Sequence, residues 1–298
     1  MTSIQCAICG NKEKLKLRYK AQLNKRKISS QTFSARRTPD RTHYRFMECL
    51  NCGLIFSNPI FSNKEITKLY KDSIFDYGIE SEFLRKTYAN HLHKAINNRN
   101  IKKISLLDIG CGNGFFLDEV KEMGVNSIAG VEPGRDTVDR ASNKVKKYIK
   151  IDVFKKNLFE NNSFDIICCF HTLDHIVDVN NFINSVYKLL KPGGRVYFVV
   201  HDTDGLSVKL FGEKSPIFDI EHIYLFNKKT LIKLFTKHKF YNEDTFSIKN
   251  KYPISYWIRM SPMPKMLKSL ILGTFSFFKL SNIPLSLSAG NIGIVAEK

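Results

Sequence analysis

Three groups of residues in this chain have the types and spacing to do chemistry. Asp108-Ile109-Gly110-Cys111-Gly112-Asn113-Gly114 is an acid at the end of an apolar run, followed by glycines at every second position. Cys6-Ala7-Ile8-Cys9-Gly10 and Cys49-Leu50-Asn51-Cys52-Gly53 are two matched thiol pairs, and Glu221-His222 sets a carboxylate beside an imidazole. The glycine group can wrap a ligand, because glycine permits a tight turn and a close backbone approach. The helix opened by Phe115-Phe116-Leu117 then offers its free N–H groups to a carboxylate or phosphate. Paired thiolates can hold a metal ion, and a histidine can hold or pass a proton near neutral pH.

The glycine spacing narrows the first group. A dinucleotide loop of the G-x-G-x-x-G kind needs its third glycine at position 115, which is Phe; here the third glycine comes one residue early. The elements that must position the loop follow in order. A strand signal, Ser127 to Val131, ends at Glu132, an acid able to accept from both hydroxyls of a ribose. Tyr148 to Phe154 reads as the next strand, and Phe164 to Phe170 as a buried one. His171-Thr172-Leu173-Asp174-His175 follows, then a helix from Val179 to Leu190. Pro192, Gly193 and Gly194 stop that helix and turn the chain into a strand over Val196–Val200.

This ordered set resembles the class I S-adenosylmethionine (SAM) methyltransferases. D-I-G-C-G-N-G stands as their first motif, Phe164 to His175 resembles their "FDxIxxxxxLEH" stretch with Asp174 in place of Glu, and L-K-P-G-G precedes their fifth strand. The resemblance implies an α/β, Rossmann-like, seven-stranded domain. It implies that Asp108, Gly110, Cys111, Gly112 and Gly114 hold the methionine end of SAM and Glu132 the ribose. Asp152, or the backbone beside it, would lie near the adenine, with a plain surface acid as the alternative. Phe170 and His171, by the expected methyl site, complete the cofactor set. His175 reads as a capping or packing residue, and His201 as a further candidate.

Each cysteine pair is C-x-x-C-G, and two such turns supply the tetrahedral four-thiolate set that zinc favours. Cys6, Cys9, Cys49 and Cys52 are therefore the expected metal ligands, with iron or an Fe–S cluster as alternatives. A closed four-cysteine site leaves no open position, so the metal is expected to be structural. Cys111, Cys168 and Cys169 read as packing residues. The run that continues as Leu54-Ile55-Phe56-Ser57-Asn58-Pro59 resembles a bacterial methyltransferase subgroup with an N-terminal zinc module, which includes sugar C-methyltransferases. That subgroup's "EHxxYF" segment corresponds to Glu221 to Phe226, with Leu225 at a common aromatic position. The resemblance implies that His222 is the base that makes an enolate from a ketosugar, assisted by Glu221. A positioning role for His222 stands beside it.

Composition bounds the rest. The chain has 298 residues, 43% of them hydrophobic, enough for one large domain or two. Its polar N-terminus, with Cys6 and Cys9 at once, reads against a secretory signal and predicts a cytoplasmic protein. A formal charge of +19 attracts anions: nucleotide-linked sugars, anionic membrane surfaces and, third, nucleic acid, for which no binding signature appears.

The expected organisation is a zinc module over residues 1–60, a helical linker or cap over 61–100, and the SAM domain over 101–298 with an insertion at 252–287. Apolar positions at helical spacing in the cap include Ile66, Leu69, Tyr70, Phe83, Tyr88 and Leu92, and Tyr70, Tyr77 and Tyr88 could line an acceptor pocket. A helix over 231–238, a strand near 244–248 and a last, antiparallel strand over 291–296 follow. The insertion carries an apolar helix with Met266, Leu270 and Phe277, flanked by Lys265, Lys268 and Lys279. Packing on the core is its default reading, with a dimer contact, a pocket wall or a membrane-surface helix as alternatives. The leading expectation is methyl transfer to a small, anionic acceptor such as a nucleotide-linked sugar. The alternatives are O- or N-methylation of another small or lipid-linked acceptor, an RNA or protein methyltransferase, and a non-catalytic SAM-binding protein.

Overall fold

A computed structural model of the chain describes residues 1–23, 28–33, 40–71 and 80–298. The expected pocket residue Tyr77 lies outside them, as do parts of the basic stretch between the cysteine pairs.

The strands form because apolar, mostly β-branched or aromatic runs are bounded by Gly, Pro and Asn. In chain order they are β1 (Leu15–Tyr19), β2 (Phe46–Cys49), β3 (Ile55–Ser57), β4 (Ser105–Ile109), β5 (Ser127–Glu132), β6 (Ile149–Ile151), β7 (Phe164–Phe170), β8 (Leu190–His201), β9 (Tyr224–Leu225), β10 (Tyr241–Ser247), β11 (Asn250–Pro253), β12 (Pro284–Leu287) and β13 (Asn291–Glu297). The helices are α1 (Asn63–Lys71), α2 (Glu80–Ile96), α3 (Phe115–Glu122), α4 (Arg135–Asp139), α5 (Val179–Leu189), α6 (Leu206–Phe211), α7 (Lys228–Lys237), α8 (Ile254–Met260) and α9 (Lys265–Phe277).

Seven strands make the central sheet in the order β10-β13-β8-β7-β4-β5-β6. β4, β5, β6, β7 and β8 pair in parallel, and β13 runs antiparallel between β8 and β10. This is the expected Rossmann-like seven-stranded α/β fold. Successive side chains of a strand point to opposite faces, and both faces here are covered. Leu107, Ile167, Cys169, Val196 and Phe198 enter one core, while Leu106, Ile166, Cys168, Tyr197 and Val199 enter the other. A parallel strand buried on both sides has no polar face, which is why β7 and β8 read as continuous apolar runs.

The second sheet, β1-β2-β3-β9, crosses the boundary expected near residue 60. Its last strand comes from beyond residue 220: Ile55 pairs with Leu225 and Phe56 with Tyr224. Cys6, Cys49, Leu54 and Phe56 share one buried cluster with Phe198 and Phe235. The cysteine segment is thus built into the main core.

Three local expectations are corrected. β8 begins at Leu190, six residues before the expected strand, because the Lys191-Pro192-Gly193-Gly194 turn is taken up inside it as an irregularity. Phe164 pairs with Leu190 and Ile166 with Arg195, and Lys298 N donates to Gly194 O across the turn. β6 ends at Ile151, so Asp152 and Phe154 have left the strand. Helix α9 does not pack on the core. None of its residues is buried, and Met266 and Phe277 are 88% and 82% exposed. The composition of α9 matches that of a core helix, but its main packing partner among the described residues is the short α8.

Candidate functional site

Strand order reverses at β4, with β5 and β6 on one side and β7 and β8 on the other. Ligands of open parallel sheets bind outside the carboxyl ends of the strands at such a point. A cavity of about 1470 Å³ opens there, lined from the sheet by Asp108, Gly110, Glu132, Phe170 and His201. A drug-sized ligand needs roughly 300–1000 Å³, so the space can hold a nucleotide-type cofactor and an acceptor together.

On the cofactor side, the loop after β4 turns over positive φ at Gly110 (75°) and Gly114 (74°). A Cβ at Gly110 would collide with the Thr172 hydroxyl, and one at Gly114 would lie 2.9 Å from Val145 Cγ2. Only glycine allows both the dihedral and the approach. Glu132 ends β5 and is 6% exposed; its two carboxylate oxygens accept the Gly112 N–H at 3.1 Å and the Gly134 N–H at 3.0 Å. Burial raises its pKa, and the two backbone donors oppose that rise. Each oxygen keeps a second lone pair. Asp108 is 2% exposed, and its Oδ1 has no hydrogen-bond partner among the described residues. Burial, and then the charge of Glu132, holds its pKa well above the usual carboxylate range. Cys111 lines the cavity as a buried thiol.

Two further expected cofactor residues differ in their relation to the cavity. Asp152 is not among the cavity residues; its carboxylate meets Lys155 at 2.6 Å, while Val153 and Phe154 line the space. The strand ended too early for Asp152 to face inward. Phe170 touches the cavity but is held by other rings, stacked on Tyr88 at 4.3 Å and edge-on to Phe116 at 4.7 Å.

Opposite them lies a group the sequence scattered over the chain. His171, His175, His201 and His222 all line the cavity and converge on Asp174. Donor atoms of His171, Asp174 and His201 lie within 4.8 Å of one another, as do those of Asp174, His175 and His222. His175 Nε2 and His201 Nε2 are each 3.8 Å from an Asp174 oxygen. Asp174 is fully buried, and neither oxygen has a hydrogen-bond partner among the described residues. Burial pushes its pKa up to about 7. The same burial, aided by neighbouring imidazoles, pushes His175 down to about 3 and His201 well below its usual value. The histidines of this pair are therefore neutral at pH 7, and the carboxyl is poised to exchange a proton.

Backbone and side-chain contacts fix the rings. His222 Nδ1 lies 2.7 Å from Ile217 O. A carbonyl only accepts, so Nδ1 carries the hydrogen and Nε2 is the acceptor nitrogen of the neutral ring. Asn291 Oδ1 lies 3.1 Å from His201 Nδ1 and fixes its tautomer similarly. Tyr70 places its hydroxyl 2.9 Å from His175 Nδ1. His171 has a φ of 48°, uncommon for a residue with a side chain and typical of sites where geometry is imposed. Glu221 is buried beside His222 and lines the same space. Sequence reading placed His222 and Glu221 here, but gave Asp174 no role and saw Asn291 only as a strand start. The signal available was His171-x-x-Asp174-His175, three polar groups directly after a buried strand.

The cysteine sheet reaches this group. Ser57, at the end of β3, donates its hydroxyl to His222 O at 2.8 Å and its N–H to Ile223 O at 2.8 Å. At the other end of the sheet the Sγ atoms of Cys6, Cys9, Cys49 and Cys52 lie within 4.8 Å of one another. Two pairs, Cys6–Cys52 and Cys9–Cys49, stand at 3.4 Å as free thiols. From α7, Lys233 and Lys237 donate to Cys52 O and Ala7 O.

A glycine loop and a buried acid at the switch point of a seven-stranded sheet with an antiparallel β13 define the fold of the SAM-dependent methyltransferases. The chain belongs to the methyltransferase-domain family, whose model matches residues 81–245, more than half of its length. It is similar to the ubiquinone biosynthesis O-methyltransferase of Rickettsia akari, 27% identical over 44% of this chain and 57% of that protein. It is also similar to that of Rhizobium rhizogenes, 32% identical over 33% of this chain and 42% of that protein. The chain spans about half the length of these curated relatives.

Among solved structures, it is similar to Haemonchus contortus phosphoethanolamine N-methyltransferase 2 in complex with S-adenosyl-L-methionine. The TM-score is 0.52 and the identity 16%, over 82% of this chain and 61% of that one. YcgJ of Bacillus subtilis gives a TM-score of 0.51 at 18% identity, over 72% and 98%. At these identities the likeness is one of fold.

Proposed function

We propose that this chain transfers the methyl group of SAM to a small acceptor whose nucleophilic atom must first lose a proton. The observation that carries the reading is His222: buried at the cavity, with Nδ1 held by Ile217 O, which makes Nε2 the basic nitrogen of the neutral ring. SAM supplies an electrophilic methyl on a good leaving group, so the protein has to align the acceptor and take its proton. Asp108 suits the cationic methionine end, because its buried Oδ1 has no other partner among the described residues. The spare lone pairs of Glu132 suit the ribose hydroxyls. His222 takes the proton, and Asp174, with a pKa near 7, can relay it through the neighbouring imidazoles.

A hydroxyl or an enolisable carbon fits such a base. The favoured acceptor is a nucleotide-linked or otherwise activated sugar; the sequence resemblance supports it, and so does a chain of high positive charge. The second reading is a hydroxyl on a lipid-linked molecule. Tyr252, Tyr256 and Trp257 favour it by giving the cavity an aromatic wall, as do relatives named for ubiquinone biosynthesis. We also propose that the four cysteines bind one structural zinc. Zn–S bonds of about 2.3 Å put tetrahedral sulfurs roughly 3.8 Å apart, close to the spacing observed. A cytoplasmic location accords with four reduced thiols.

The deciding experiment is acceptor-dependent release of S-adenosylhomocysteine, with mass spectrometry of the products. The panel is nucleotide-linked sugars, 4-keto deoxysugars among them, beside phenolic lipids. A methyl-sized gain on a sugar is expected; a gain on the phenolic lipids alone would replace the first reading by the second. No gain on either, with SAM bound, would overturn both.

A further inference from the structure

We infer that the excursion between β11 and β12 docks this protein on an anionic lipid bilayer and turns one wall of the cavity toward it. Helix α9 and the chain after it expose apolar side chains to solvent. Met266, Leu270, Phe277 and Phe278 are 88%, 68%, 82% and 61% exposed. A contiguous apolar patch of this kind on an otherwise charged surface marks a place of contact. Its charge selects the occupant. No acidic residue occurs between Asp244 and Glu297, while Lys249, Lys251, Arg259, Lys265, Lys268 and Lys279 all fall there.

A second copy of the chain would oppose these cations with the same cations. An anionic headgroup layer complements them, since each cation near the surface adds to the attraction. The geometry fits lying on a bilayer. A thirteen-residue helix is roughly 20 Å long, short of the ~30 Å of a hydrocarbon core. Among the described residues no helix is long and apolar enough to cross a membrane.

The excursion is also part of the site. Tyr252, Tyr256, Trp257 and Met260 face the cavity, and Leu206 and Leu210 of α6, 50% and 64% exposed, border it too. A lipid-borne acceptor can enter from the bilayer past these side chains. This deepens the second acceptor reading, but the docking itself is read without turnover.

The test is co-sedimentation of the full chain with vesicles of phosphatidylcholine alone and of phosphatidylcholine mixed with phosphatidylglycerol. Binding is expected to the mixed vesicles only, and to weaken as salt is raised. Lys265→Glu/Lys268→Glu/Lys279→Glu should weaken it by about 100-fold, as loss of three surface cations near the headgroups implies. Met266→Ser/Leu270→Ser/Phe277→Ser should weaken it at low salt as well, with circular dichroism confirming the fold. Equal sedimentation with both vesicles, or lysine variants that bind like the parent, would overturn the proposal. So would light scattering that shows a dimer broken by the serine variant, since a second copy would then cover the face.

Discussion

The two halves of the cavity are built in opposite ways. The cofactor half is local: Asp108, the glycine turn and Glu132 lie within one strand-helix-strand unit and are joined by backbone hydrogen bonds. The acceptor half gathers Tyr70, His171 to His175, His201, His222 and Asn291 from five separate stretches of chain. Its carboxyl at Asp174 lies 3.8 Å from the imidazoles of His175 and His201. A local unit can hold a cofactor common to a family, while an assembled one can vary with the acceptor. Changes in the first half should therefore act on SAM affinity, and changes in the second on turnover.

The sharpest division should come from His222→Ala. Loss of a general base costs typically 10²–10⁴-fold, so kcat should fall by about that much with SAM affinity unchanged in calorimetry. Normal turnover would remove His222 as the base. Glu132→Ala should do the reverse, weakening SAM by at least about 100-fold, since two charge-assisted hydrogen bonds are each worth roughly 1.5–3 kcal/mol. Unchanged affinity would break the assignment of the cofactor half.

Cys49→Ser/Cys52→Ser tests whether the cysteine sheet belongs with the acceptor half. Metal analysis should show one zinc lost per chain. Because Ser57 holds the His222 backbone, kcat should drop by about tenfold, as for small misplacements of a reacting group, while SAM binding persists. Retained zinc would refute the four-cysteine site.

The smallest effect concerns pH. The folded-state pKa of Asp174 is raised to about 7 by burial, above its unfolded value. Between those two values the folded protein binds more protons than the unfolded chain, so this group's contribution to stability falls as pH rises toward 7. His175 and His201, held neutral, act in the other direction below their ordinary value. Comparison with Asp174→Asn isolates the carboxyl. The Tm of the variant relative to the parent should rise by a few degrees from pH 5 to pH 8; a constant difference would show that Asp174 ionises normally.

The contrast also decides what the sequence made legible. The glycine turn, Glu132 and the strand order follow from local pattern, and those residues are found together at the switch point. Each cysteine pair is likewise a four-residue signal. His222 was visible through its neighbours, but its partners were not, because spacing along the chain carries no information about a convergence of five segments. Asp152 lies one residue beyond the short β6, where the side chain is no longer constrained to alternate faces, and it is the neighbouring Val153 that lines the cavity. α9 departs from its expectation for a different reason. Composition sets how apolar a helix is, but what stands opposite decides whether it is buried, and among the described residues the short α8 leaves every residue of α9 at least partly exposed.

The pairing of β3 with β9 has a consequence for the order in which the molecule is made. A ribosome releases the four cysteines and β1 to β3 early, so the two cysteine turns can form while most of the chain is still unsynthesised. The outer edge of β3 must then stay unsatisfied until Tyr224 and Leu225 emerge. An open strand edge is a template for pairing with another chain, and a contact of such long sequence separation forms late. The nascent protein is thus most exposed to misassembly at Ile55 and Phe56, and the arrival of β9 both ends that exposure and sets His222 in place.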